Sequence, residues 1–211
     1  DDDAKIRVAA IKVINGLRVK RAIPEIVKRL EDKEASVREQ ALYTLGQMHV
    51  ESAIPNIIKY LEDKVVDVQK AAIEALVVLR AKFSIPQLIK CTKDSDPEVQ
   101  IAAIHALRNL EAKAAIPAIV QCLEYRNSNV QVAAIKALGS LEAKSTIPKI
   151  ITYLENKDTE VEVEAVRTLG KLKADSAIPA IVQHLDQYVV KYDSGYFWVG
   201  VMRKVVKGLR N

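Results

Sequence analysis

Six Ile-Pro dipeptides recur along this chain at a single interval of 31 residues: Ile23-Pro24, Ile54-Pro55, Ile85-Pro86, Ile116-Pro117, Ile147-Pro148 and Ile178-Pro179. Six of the seven prolines sit in this phrase, so chance does not explain the spacing. A fixed period of about 20–50 residues dictates an array of stacked supersecondary units, and it constrains the fold before any residue is considered for chemistry.

The unit Ala115 to Ala143 shows what one period encodes. Ile116, Ile119, Val120 and Leu123 fall at i, i+3, i+4 and i+7, an apolar stripe on a first helix, A. Pro117 lies in its first turn, where a missing N–H costs nothing. A polar turn follows at Tyr125-Arg-Asn-Ser-Asn129, with Asn127 expected as the cap of a second helix, B. Val130, Ala134, Ile135 and Leu138 form the stripe of helix B. The preceding unit has an equally clear start, with Asp96 as N-cap and Pro97 at the first helical position. Ser52, Ser84, Ser145 and Ser176 are expected to cap the A helices.

Two columns run through every helix B. Ala10, Ala41, Ala72, Ala103, Ala134 and Ala165 supply the small side chain that a close helix contact needs. Ile14, Leu45, Leu76, Leu107, Leu138 and Leu169 supply the large one. Gly46, Gly139 and Gly170 come next and are expected to close the helix in a left-handed conformation. Leu110, Leu141 and Leu172 then return to the core. A lone helix pair cannot bury both stripes, so the units must stack.

The composition agrees. Of 211 residues, 49% are hydrophobic but only 5% aromatic, which suits tightly stacked aliphatic helices. The net charge of +5 is only mildly basic. No apolar stretch approaches the length of a membrane span, and no signal peptide is visible. Cys91 and Cys122 lie one period apart. Stacked helices are separated by about 8–10 Å, beyond the roughly 4.4–6.8 Å between Cα atoms that a disulfide accepts. Free thiols and a reducing, cytoplasmic compartment are therefore expected. The chain starts at Asp1 without a methionine and enters in mid-repeat, as a fragment of a longer protein would.

Ala-Ile-Pro-x-Ile-Val at the head of helix A, with Val-x-x-x-Ala-Ile-x-Ala-Leu-Gly in helix B, resembles the short HEAT repeats of phycobilisome-lyase-like proteins and prokaryotic adaptors. The resemblance covers nearly the whole chain. It implies an all-α fold, a right-handed α-solenoid of antiparallel helix pairs. One domain is expected over 1–211: a partial repeat at 1–20, five regular repeats at 21–175, and a terminal repeat at 176–211. Ankyrin and tetratricopeptide units lack their landmark residues here.

Catalytic constellations are absent from the sequence. It has no phosphate-binding glycine loop and no Gly-x-Ser-x-Gly. His49, His105 and His184 occupy different positions of different repeats, so stacking does not gather them on a metal. No histidine precedes a glutamate, which excludes the His-Glu ligand pattern of HEAT-like di-iron hydroxylases. No cofactor is expected, and no enzymatic activity. Arg29, Tyr60, Cys91, Cys122, Tyr153 and His184 form a column beside the leucines of helix A and are expected to be partly exposed. Lys20, Glu51, Lys82, Lys113, Lys144 and Asp175 mark the turn between repeats. The three central lysines suggest a phosphate-binding ridge. Glu39, Glu74, Glu162 and Glu164 make the surface mixed, which speaks against a nucleic-acid partner.

The resemblance puts the B helices on the concave side of the solenoid. The outward column there reads Lys12, Tyr43, Glu74, His105, Lys136, Arg167. Arg38, Gln69, Gln100 and Gln131 are expected to add polar reach, and Ile101, Val132 and Val163 apolar contact. Such a surface suits a protein or peptide partner, and the expected function is a binding scaffold. A bilin lyase-like, chromophore-handling subunit is one alternative, implied by the family, and nucleic-acid binding through the lysine ridge is another.

The last repeat departs from the pattern. Its helix B stripe, Val201, Val205, Val206 and Leu209, arrives nine residues late. The insertion, 187–200, carries Tyr188, Tyr192, Tyr196, Phe197 and Trp198, half of the chain's aromatics. It reads as a cap over the open end of the stack, as an aromatic interface with Tyr196, Phe197 and Trp198 as anchors, or as both.

Overall fold

A computed structural model describes residues 3–191, with side chains through His184. The inserted segment past Lys191, with Tyr196, Phe197 and Trp198, and the late stripe from Val201 to Leu209 lie outside the described residues. Among the described residues the fold is all-helical, with no strand. The α-helices are α1 Ala4–Gly16, α2 Ile23–Lys28, α3 Ala35–Gln47, α4 Ile54–Ile58, α5 Val66–Val78 and α6 Ile85–Cys91. They continue as α7 Pro97–Asn109, α8 Ile116–Cys122, α9 Ser128–Ser140, α10 Ile147–Ile151, α11 Thr159–Lys171 and α12 Ile178–Lys191. Short A-type helices opened by Ile-Pro, α2, α4, α6, α8 and α10, alternate with B-type helices of 13 residues, as the 31-residue period requires, whereas α12, also opened by Ile-Pro, runs for 14 residues. This is the architecture of an α-solenoid.

The chain divides into two compact units, one ending at Ala115 and the other starting at Ile116. In the first, the long helices α1, α3, α5 and α7 pack in succession, and α2, α4 and α6 each pack on the long helix that follows. In the second, α9 packs on α11, while α8 and α10 pack on the long helix after them. The repeat columns form the core of each unit. Val37, Ala41 and Leu45 on α3 and Val99, Ala103 and Leu107 on α7 are fully buried, as are Val130, Ala134 and Leu138 on α9. Each buried Leu or Val removes enough apolar area to contribute about 1.5–3 kcal/mol. On α1 the equivalent stripe behaves differently: Ile6 and Ala10 are exposed and Ile14 is half-buried.

The helix ends correct two expectations. Each A-type helix is entered through a 3₁₀ turn, at Lys20–Ala22, Glu51–Ala53, Lys82–Ser84, Lys113–Ala115, Lys144–Thr146 and Asp175–Ala177. The preceding turn already orients the helix start, and no side-chain cap bond forms at α4, α6 or α10. Ser84 is buried instead, its hydroxyl donating to Ala81 O at 2.7 Å. The B-type caps hold: Asp96 accepts from Glu98 N at 2.8 Å, and Asn127 from Asn129 N at 3.0 Å.

Glycines do not close the B helices either. The left-handed residues are Arg18, His49, Arg80, Glu111, Glu142 and Lys173, spaced one period apart with φ of 48–55°. The following N–H returns to the carbonyl of the leucine column: Val50 to Leu45 at 3.0 Å, Ala112 to Leu107 at 2.9 Å, Ala174 to Leu169 at 3.1 Å. That is the Schellman closure. The glycines stay helical and serve packing. A Cβ on Gly46 would lie 3.0 Å from Ala75 Cα, and one on Gly139 would lie 2.9 Å from Thr168 Cγ2. They let successive B helices approach.

Candidate functional site

Each B helix carries one polar column in the first turn after its cap: Arg7, Arg38, Gln69, Gln100, Gln131, Glu162. Here the structure corrects the sequence reading most sharply. Arg38 and Gln69, expected to reach outward, are buried. Arg38 Nε and Nη2 each donate to a carboxylate oxygen of Asp63 in the next repeat, both at 2.9 Å. Its Nη1 donates to Asp32 O and Lys33 O in the turn of its own repeat. Arg7 forms the equivalent pair with Asp32, at 2.8 Å. Gln69 Nε2 donates to Leu61 O at 3.2 Å and to Asp94 at 3.4 Å. Gln100 Nε2 donates to Asp94 O at 2.6 Å, and Gln131 Nε2 to Leu123 O and Tyr125 O at 3.0 and 2.8 Å. These side chains satisfy carbonyls at the end of the short A helix, which has lost its own ladder there. They hold turns and tie repeats; they do not form an outward groove.

The acidic partners do two jobs. Asp63 Oδ1 accepts the Val65 N–H at 2.9 Å, and Asp94 Oδ1 the Asp96 N–H at 2.9 Å. Burial alone would raise the Asp63 carboxyl, but its bonds from Arg38 and Val65 and the guanidinium charge hold it below its ordinary value. Asp32 is lowered in the same way against its own burial, by Arg7 and the Glu34 N–H.

In the second unit the column ends on Glu162, which engages His184 of α12 in a buried pair. His184 belongs to the helix A column expected to be partly exposed. Cys91, Cys122, Tyr153 and His184 are in fact buried, while Arg29 and Tyr60 are half-buried as expected. Tyr153 Oη donates to Leu123 O at 2.7 Å, one repeat earlier. Both cysteines are free thiols, and burial pushes Cys91 up to about 11.

What stays outward is the other column. In the first unit, α3 presents Tyr43, 43% exposed, α5 presents Glu74, and α7 presents the half-buried His105. Ile101 is half-buried beside it. In the second unit, α9 presents Lys136 and α11 presents Arg167, with Val132 buried and Val163 half-buried nearby. Between those cations lies Glu164, singled out in the sequence only as part of a mixed surface. It is buried, and Lys136 Nζ and Arg167 Nη1 each stand 3.8 Å from its Oε2. A signal was in the sequence: Glu164 stands in a column that otherwise reads Ala9, Gln40, Ala71, Ala102 and Ala133, the one charge among them. Among the described residues no three His, Cys, Asp or Glu side chains gather as a metal site, and no helix is long and apolar enough to cross a membrane.

No curated protein matches this chain. Solved structures do. The complex of CpcE and CpcF of phycocyanin lyase from Nostoc sp. PCC7120 is similar at 25% identity and a TM-score of 0.62, over 75% of this chain and 68% of that one. An Escherichia coli protein, YibA, is similar at 20% identity and a TM-score of 0.65, over 100% of this chain and 71% of that one. An engineered protein matches at 21% identity and a TM-score of 0.61, over 89% and 96%. The last two agree in fold alone. The family model for HEAT repeats matches residues 1–77, 54–128, 85–146 and 116–193, and the chain belongs to the HEAT-repeat family.

Proposed function

We propose that this protein is a non-enzymatic scaffold that binds a protein or peptide partner through the outward column of its B helices. The observation that carries the reading is the division of labour along those helices. The Ala, Val and Leu columns fill the core, and the Arg/Gln column is consumed by turn carbonyls and neighbouring repeats. Tyr43 and Glu74 remain outward in the first unit, and Lys136 and Arg167 in the second, each on the long helices of its own unit. Tyrosine and arginine are the residue types that anchor protein interfaces. The similarity to CpcE and CpcF, proteins solved as a complex with each other, supports a protein as the partner. Affinity capture tests it: wild type is expected to retain a discrete protein that a Tyr43→Ala, Glu74→Lys, Arg167→Glu variant of unchanged circular dichroism loses. Equal capture by both would reject the face.

The same similarity favours a second reading, a subunit that handles a bilin in phycocyanin-lyase fashion. Incubation with free phycocyanobilin separates the two. The scaffold reading expects no shift in the pigment's visible absorbance; a saturable shift would favour the second.

A further inference from the structure

The chemistry of the partner can be taken further in the second unit, and this step rests on the scaffold reading above. Lys136 on α9 and Arg167 on α11 occupy the same position of successive repeats, and Lys171 lies one turn beyond Arg167. Lys171 Nζ reaches Ser140 Oγ on α9 at 3.0 Å, so the three cations line one surface shared by both helices. In the first unit the same column reads Lys12, Tyr43, Glu74 and His105, with a single lysine and no run of cations.

Glu164 is placed oddly for a simple ion pair. Its side chain is 9% exposed, whereas those of Lys136 and Arg167 are 52% and 59% exposed. At 3.8 Å neither cation is within hydrogen-bonding distance of it. Lys136 and Arg167 thus keep most of their donors turned to solvent while a sunken carboxylate holds them in place. An incoming carboxylate can take both, and the arginine offers it a two-pronged contact. We infer that the Lys136, Arg167 and Lys171 surface receives an acidic segment of the partner protein, whose carboxylates draw the two nearer cations away from Glu164.

A consequence follows for protons. Burial already pushes the Glu164 carboxyl above its ordinary value, and Lys136 and Arg167 only partly offset this. Glu160 on the same helix raises it further, and Lys171 lowers it. On the neighbouring elements, Lys149 of α10 is engaged by Glu124 and His184 of α12 by Glu162. Once the cations are drawn off, a buried carboxylate without a counter-charge takes up a proton. The complex then binds more protons than the free protein, so affinity rises as pH falls.

Fluorescence anisotropy of the full chain with a labelled deca-aspartate peptide tests this, with deca-lysine and oligothymidylate as comparators. Deca-aspartate is expected to bind and deca-lysine not. Lys136→Gln with Arg167→Gln should weaken binding about tenfold, two exposed charge contacts at up to about 1 kcal/mol each. Glu164→Gln should tighten it about two- to fivefold, the worth of a lost surface competitor. Wild type should bind more tightly at about pH 5.5 than at about pH 7.5, and Glu164→Gln should lose that slope. No binding of deca-aspartate, binding indifferent to the double variant, or tighter binding of oligothymidylate through the same residues would overturn the inference. Protein capture that still depends on Tyr43 and Glu74 would then leave the scaffold reading standing without it.

Discussion

Arg38 and Asp63 form a pair whose side chains are only 8% and 9% exposed, and at such a site losing one partner costs more than the pair is worth. Arg38→Met should destabilise the protein by about 3–5 kcal/mol, because Asp63 is left as a buried, uncompensated charge. Arg38→Met with Asp63→Leu should recover only part of that loss, since it removes the stranded charge but leaves the Val65 N–H and the Asp32 and Lys33 carbonyls without these partners. The pH dependence has a definite sign. Asp63 and Asp32 are lowered in the folded state, so their stabilisation is present above their unfolded value of about 3.9 and is lost as pH falls through the depressed folded values. Arg38→Met removes the guanidinium that lowers Asp63 and leaves burial opposed chiefly by the Val65 N–H, so the carboxyl protonates more readily and the variant's deficit should shrink on acidification. Urea midpoints at several pH values check both statements. The left-handed residues give a change of the opposite sign. Glu111 has φ 55° and bears a Cβ, an arrangement that costs about 1–2 kcal/mol. Glu111→Gly relieves this against a backbone entropy loss of about 0.5–1 kcal/mol, so a net gain of about 0.5–1 kcal/mol is expected. A lower midpoint would contradict the closure assigned to this turn.

At the scale of the element, the long helices are set by what touches them. Ala103 is fully buried on α7, and Ala103→Leu should overpack the stack and cost about 1–3 kcal/mol. Gly139→Ala adds only a methyl, but at 2.9 Å from Thr168 Cγ2 it must displace a β-branched side chain. The overpacking cost, about 1–3 kcal/mol, exceeds the gain of about 1 kcal/mol in helix propensity, so the net effect is destabilising. Thermal denaturation checks both. These helices were legible in the sequence because period and pattern agree: Ile-Pro fixes each A start, and the Val, Ala and Leu columns fix each B face. What was not legible depended on partners one repeat away. Glycine just after the leucine column suggests a left-handed stop, but the glycines answer to Ala75 and Thr168 on the next helix. Arg38 and Gln69 look like outward polar residues by their place on the helix. Only the stack shows that the A helix ends beneath them in bare carbonyls. Glu164 is the one charge in a column of alanines and Gln40, yet its meaning required seeing Lys136 and Arg167 beside it.

At the scale of the whole molecule, buried polar residues hold successive repeats of each unit together, and the proposal is that the outward column of the B helices meets a partner. The thiols belong to the same account. Cys91 and Cys122 are buried and free, so they should resist a thiol reagent in the folded protein and titrate fully in denaturant without prior reduction. The most direct test of the central claim is site-specific photocrosslinking in living cells of the source organism. A photoreactive residue would be placed singly at Tyr43 and Lys136 on the outward column, and at Pro24 and Pro148 on the exposed starts of A helices. The account predicts one discrete protein adduct from positions 43 and 136 and none from 24 and 148. Adducts from the A helix positions alone, or no adduct from the outward column, would contradict it.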